Sequence, residues 1–274
     1  MTQCLTLTLV SLITSSIYAQ EKATTVTTFS NPVELKLKVN RRDYNRKNNF
    51  GGNFAIENFY PVGWSNDGKF AYYTEPVDEA CDCYFGNLVI VDLKNDAIIW
   101  HFDYTSDEPE EGKRKPRSLG ALWNANRQLF STKLSENNIK PYRAVRVLPF
   151  PISYKTDRLT PALSFERKPM SEEDRIYGDI SRVRVEVFSK QNGTKSVFDH
   201  NYPEAKPLYI GMIGYLKSPL EPRVAIILVE IYRGYEGPPH VGGVRIVGMS
   251  LGKHFKNHKE SYSRARIFSE PAHL

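Results

Sequence analysis

Cysteine is scarce, with three in 274 residues, and only Cys81 and Cys83 stand near one another. So few cannot staple a domain of this size, so the fold must rest on its core. Charge of one sign is not in large excess either: 37 Lys+Arg face 31 Asp+Glu, for a formal net charge of +6 and a pI near 9.0. That modest balance, with no recognisable nucleic-acid module, argues against nucleic acid as partner. Downstream of residue 20 no uncharged apolar run is long enough for a transmembrane helix in a mature chain. Helical spacing is nearly absent. What remains, 41% hydrophobic and 12% aromatic residues, suffices to bury a core and excludes wholesale disorder.

The first residues point to export. From Leu5 to Ile17 the chain alternates Leu, Val and Ile with Thr and Ser, carries no charge, and reaches Ser16-Ile17-Tyr18-Ala19 before Gln20. This reads as a signal peptide over 1–19, cleaved after Ala19, with a buried N-terminal strand as the alternative. Cys4 would leave with it. The expected organisation is then a single β-repeat domain over 20–252 and a basic C-terminal tail over 253–274, in a secreted or periplasmic protein.

Val, Ile, Tyr, Phe and Thr cluster in short runs broken by Asn, Asp, Gly and Pro, at 34–39, 70–74, 88–93, 98–102, 144–148, 183–188, 224–231 and 244–247. The class is all-β and mostly antiparallel. One short helix is expected from Ser171, where Glu172, Glu173 and Asp174 suit the positive end of a helix dipole.

The chain also resembles itself. Gly63-Trp64 leads through Ser65-Asn66-Asp67-Gly68-Lys69 into the run at 70–73; after a polar loop comes the run at 88–93. Gly214-Tyr215 leads into 224–228, and after a polar loop of nearly equal length comes 244–247. A fainter middle copy runs from Trp123-Asn124-Ala125-Asn126-Arg127 through Gln128-Leu129-Phe130 to the run after Tyr142. Such units cannot bury both faces alone, which is the reason to stack them.

The string from Trp64 to Lys69 before an aromatic strand resembles the opening of a TolB-type β-propeller repeat, and 89–100 is similar to its closing hairpin, with Asn95-Asp96 where Thr-Gly is usual. The resemblance implies positive φ at Asp67-Gly68 and a Trp64 that fills the space between adjacent sheets. Together with the leader and the late Gly234-Tyr235-Glu236-Gly237-Pro238-Pro239, these stretches resemble an uncharacterised family of predicted secreted bacterial proteins, which carries over no activity. Two clear units fall short of the four blades of a closed propeller. The expectation is therefore an irregular or degenerate β-propeller-like domain, with an open β-sandwich as the alternative.

Motifs for chemistry are few. Gly248-Met249-Ser250-Leu251-Gly252 is a formal G-x-S-x-G, but little chain follows to carry the acid and histidine of an α/β-hydrolase, for which Glu260 and His273 would have to serve. Asp78, Glu79, Cys81, Asp82 and Cys83 are grouped in the manner of metal ligands, without the second spaced pair that zinc prefers. Neighbours as close as Cys81 and Cys83 form a disulfide only in a tight ring, a redox-labile arrangement. His254 and His258 lack the acidic residue of H-E-x-x-H. Basic clusters at 41–47 and 253–266 suit an anionic surface or ordinary solubility, while the cluster at 113–117 follows the acidic run 107–111, which largely cancels it, and reads as an exposed linker between units. No cofactor is implied.

The leading expectation is a non-catalytic binding module of the bacterial envelope, its partner another envelope protein or an anionic surface polymer. Its loops would emerge from one edge, bringing Glu75, Asp78 and Asp82 beside Tyr235, Glu236 and His240. The alternative is an envelope hydrolase or metal-dependent enzyme, with chemistry at Ser250 or in the Cys81/Cys83 loop.

Overall fold

The computed structural model describes residues 29–40, 44, 53–107, 115–143, 146–168, 178–252 and 254–256. The expected leader, the helix at Ser171, the basic cluster at 41–47 apart from Tyr44, and the tail apart from 254–256 lie outside the described residues, as do Glu260 and His273.

Thirteen strands and two short helices make up the described elements, so the chain is all-β in class. The first meander is β2 (Asn58–Trp64), β3 (Lys69–Glu75), β4 (Phe85–Asp92) and β5 (Ala97–Thr105), each antiparallel to the next, with β6 (Lys140–Pro141) on the open side of β2. A second is β7 (Ile152–Tyr154), β8 (Asp157–Arg167), β9 (Ile180–Ser189) and β10 (Gly193–Asn201). The third is β11 (Tyr209–Lys217), β12 (Arg223–Tyr232) and β13 (His240–Ser250), completed by β1 (Phe54–Ile56), which adds to β13 in parallel.

The third sheet is central. Strand β12 alternates little because both its faces are covered: residues 224–231 are all buried. Ala225 and Ile227, with Leu216 and Ile246, pack against Phe59, Trp64, Phe70, Val91 and Leu93 of the first sheet. Val224, Ile226 and Leu228, with Val247 and Met249, pack against Ile152, Leu159, Val185 and Val187 of the second. Each such buried aliphatic side chain contributes roughly 1.5–3 kcal/mol. Three sheets stack here, which differs from a two-sheet open sandwich.

The two clear units share a device. In β2 the pairing register shifts between Pro61 and Gly63, and in β11 it shifts between Met212 and Gly214, so a bulge precedes Gly63-Trp64 and Gly214-Tyr215 alike. A Cβ on Gly63 would collide with the Lys140 carbonyl, and one on Gly214 with that of Leu148. The bare glycines admit one and the same connecting segment. Its Lys140 and Pro141 pair with Trp64 and Gly63, and Leu148 then exchanges both backbone hydrogen bonds with Tyr215, at 2.9 and 3.0 Å. Trp64 lies fully buried between the first and central sheets, and Tyr215 is buried between the central sheet and the second.

Other expectations need correction. The middle copy is helical: α1 (Leu119–Ala125) is capped by Ser118, and α2 (Arg127–Glu136) follows directly. Leu122, Trp123, Phe130 and Leu134 cover the outer face of the first sheet against Val62, Tyr73, Leu88 and Ile90, a stripe at helical spacing that propensity alone had hidden. Residues 34–39 alternate in burial yet touch a strand through the single backbone bond from Leu35 N–H to the Phe59 carbonyl at 2.8 Å, so they belong to no ladder. Of 144–148, the described part joins a sheet only through the bridge at Leu148. In the 65–68 turn positive φ falls on Gly68 alone, at +96°, while Asp67 binds Lys69.

Candidate functional site

Two loops leave the sheets where β3 passes to β4 and where β12 passes to β13. They meet. Glu79 of the first accepts a hydrogen bond from the Tyr235 backbone N–H of the second at 2.6 Å. Of the six residues expected at a common edge, Asp78, Asp82, Tyr235 and Glu236 lie in these loops, while Glu75 ends β3 and His240 begins β13.

Glu75 ends β3 and looks inward. Its carboxylate accepts from Asn58 Nδ2 at 3.0 Å, from Tyr84 Oη at 2.8 Å and from Tyr60 Oη, and Tyr84 is linked in turn to Tyr73 Oη at 2.7 Å. Burial, followed by the hydroxyl's bonds to Tyr73 and Glu75, pushes the Tyr84 phenol far above its ordinary range. This network anchors the loop's base. Glu75 thus serves the scaffold, its partners being Asn58, Tyr60 and Tyr84 and not Tyr235 or Glu236.

Asp78 organises the loop itself. It accepts from the backbone N–H groups of Ala80, Cys81 and Cys83 at 3.2, 3.2 and 3.0 Å. Against a desolvation that acts to raise it, these bonds hold the carboxyl below its usual value. Asp82 sits at φ +52° and pairs with Arg117, Oδ2 to Nη2 at 2.9 Å. Cys81 and Cys83 are joined in a disulfide with Cα atoms 5.1 Å apart.

These assignments consume the proposed metal ligands. Among the described residues the one grouping with suitable spacing is Cys81, Cys83 and Asp107, and sulfurs bonded to each other offer no thiolate. Asp78 is engaged by backbone N–H groups, Glu79 by Tyr235 and Asp82 by Arg117.

On the second loop Tyr235 is 82% exposed and Glu236 is exposed beside it. His240 begins β13 and is buried; its Nδ1 accepts from the Gly234 N–H at 3.4 Å, while its Nε2 has no partner among the described residues. Burial first, and then the Arg233 charge, lower its pKa and keep the ring neutral. His240 therefore props the loop from below and presents nothing to solvent.

Ser250 does not form a nucleophile elbow. It is the last residue of β13, paired with Arg223 of β12, and an irregular bend follows it, with no helix among the described residues. Its Oγ is buried without a partner, and Lys195 Nζ binds its carbonyl at 3.0 Å. Gly248, two residues before it, meets the Leu93 backbone in the turn between β4 and β5, so the glycine of the motif serves close packing.

Sequence reasoning missed three groups. Glu79 was weighed only as a metal ligand, and Arg117 only as part of a charged linker; their partners lie far along the chain, where no local spacing signals them. The third is buried: Glu230 of β12 accepts from Tyr202 and Tyr232 at 2.6 and 2.9 Å and is gripped by both Nε and Nη2 of Arg245, the latter at 3.1 Å. With its carboxylate oxygens so engaged, this pair holds β12, β13 and the segment after β10 together. A shallow pocket of about 250 Å³, lined by Phe29, Pro32, Pro61, Val62, Tyr142 and Arg143 among others, shares no residue with either loop. No described helix is long and apolar enough to cross a membrane.

Comparison with protein families, with curated proteins and with solved structures finds no match to this chain.

Proposed function

We propose that this chain is an exported, non-catalytic binding module whose docking edge is built by loops 76–84 and 233–239, and whose stacked meanders are degenerate units of the TolB-type propeller kind. One observation carries the docking reading: the Glu79 carboxylate ties the Tyr235 backbone at 2.6 Å, so a highly exposed aromatic is held on a braced loop. A rigid exposed tyrosine provides large contact area at small entropic cost, which suits a binding anchor. The propeller reading is supported by the shared bulge before Gly63-Trp64 and Gly214-Tyr215. Export is supported by the leader-like residues 1–19 and by a disulfide, which persists in oxidising compartments.

The edge carries the four carboxylates of Asp78, Glu79, Asp82 and Glu236 against two cations, Arg233 and the Arg117 paired to Asp82. An acidic rim around an exposed aromatic favours a protein with a basic patch over an anionic polymer. The test is a photo-crosslinking residue at position 235 in the native cell, followed by identification of the attached species. A discrete protein adduct, weakened by Glu236→Lys, is expected. Adducts to polymer alone, or a protein adduct indifferent to the charge reversal, would refute the reading.

A further inference from the structure

The Cys81–Cys83 disulfide has little structural work to do. It joins cysteines with a single residue between them, so it restricts the unfolded chain very little. Cys81 is exposed and Cys83 half-buried, and neither belongs to a hydrophobic core. The loop is already held by Asp78 on three backbone N–H groups and by Glu79 and Asp82 on distant partners. Solvent-accessible disulfides that are not staples are the ones that exchange.

We propose that Cys81–Cys83 is a thiol–disulfide exchange site whose co-reactant is a protein dithiol set among basic residues. The charge around the sulfurs selects that partner. Asp78 Oδ1 lies 3.4 Å from Cys81 Sγ, an Asp107 carboxylate oxygen lies within 4.8 Å of both sulfurs, and Asp82 separates the two cysteines in the chain. Arg117, the cation in ion-pair contact with this loop, is paired to Asp82. An attacking thiolate is itself an anion, so this field slows it unless neighbouring Lys or Arg compensate.

The exchange runs in two displacements. A partner thiolate attacks one sulfur of the pair; the S–S bond breaks, its electron pair leaves on the other sulfur, and that thiolate takes up a proton. The partner's second thiol, once deprotonated, attacks its own sulfur in the mixed disulfide and releases the remaining cysteine, which is protonated in turn. Two electrons and two protons pass to Cys81 and Cys83, and the partner dithiol becomes a disulfide. The reverse sequence oxidises the pair. This chemistry is separate from the docking reading, since a loop can dock without exchanging electrons.

The test uses the oxidised full-length protein and two synthetic dithiol peptides, one flanked by lysines and one by glutamates, with acid quenching, alkylation and mass measurement. The lysine peptide should reduce the pair on the order of tenfold faster at low salt, the preference should shrink at high salt, and Asp78→Asn with Asp82→Asn should narrow it. Equal rates for the two peptides, or no reduction by either, would overturn the proposal. Replacing both cysteines by serine should leave thermal unfolding nearly unchanged; loss of the fold would show that the pair is a staple and overturn it as well. Because these rates need no cellular partner, their failure is distinguishable from failure of the crosslinking at position 235.

Discussion

Gly248→Ala strikes the contact between the first and central sheets at one atom. A Cβ there would lie under 3.0 Å from the Leu93 carbonyl oxygen, its carbon and its Cα, all backbone and unable to swing aside. To admit the methyl group, β13 must separate from the turn between β4 and β5. Two bonds span that contact: Gly248 N–H to Asp96 Oδ1 at 2.7 Å, and Arg223 Nη1 to the Leu93 carbonyl at 2.8 Å. Overpacking costs roughly 1–3 kcal/mol, and weakening a charge-assisted hydrogen bond adds roughly 1.5 kcal/mol or more. The expected loss is about 3 kcal/mol, read as a lower urea midpoint with an unchanged slope. Ser250→Ala is the internal comparison. It deletes a buried hydroxyl without a partner, so it should be neutral or mildly stabilising. A Gly248→Ala protein within about 0.5 kcal/mol of the parent would refute the packing argument.

Three further outcomes follow from the same geometry. Burial, only partly offset by the Gly248 N–H, raises the Asp96 carboxyl from 3.8 to about 6; the folded chain then holds more protons than the unfolded one in that window, and stability falls as pH rises through it. Asp96→Asn, which suits the φ of +58°, should flatten that slope in urea titrations and raise the midpoint above pH 7; an unchanged slope would contradict the assignment. Arg245→Met leaves the buried Glu230 without its cation and should cost about 3 kcal/mol, much of it restored by adding Glu230→Gln; strict additivity of the two changes would count against a coupled pair. Ile227→Ala in β12 should cost roughly 2–5 kcal/mol and Ile99→Ala on exposed β5 under about 0.5 kcal/mol; similar costs would deny that β12 is interior.

Strands buried on one or both faces were legible because their apolar residues either run on or alternate strictly: 70–74, 183–188 and 224–231 fall inside β3, β9 and β12, and 88–93 overruns β4 by one residue, Leu93. Strand β8 was missed because Pro161 and its alternating charged and polar residues mute the pattern, although Leu159, Leu163 and Phe165 keep a period of two. Helices α1 and α2 were misread since Trp123 and Phe130 stand among Asn residues that mimic a turn, and burial of Leu122 and Leu134 against the first sheet decides the matter only in three dimensions. The parallel closure of the central sheet by β1 joins residues nearly two hundred positions apart, as Phe54 with His240, and no local rule encodes it. At the candidate site the two loops could be read from the repeat, whereas the Glu79–Tyr235 and Asp82–Arg117 contacts could not, because each depends on how the sheets and helices are placed.

Native-state amide hydrogen exchange tests the stacking most directly. If the third meander is the middle layer, amides of residues 224–231 exchange only through global unfolding and are the slowest in the molecule, while those of β5 and β10 at the sheet edges open locally and much faster. Exchange of 224–231 at the pace of β5 would contradict the stacked arrangement from which the loop edge and its chemistry follow.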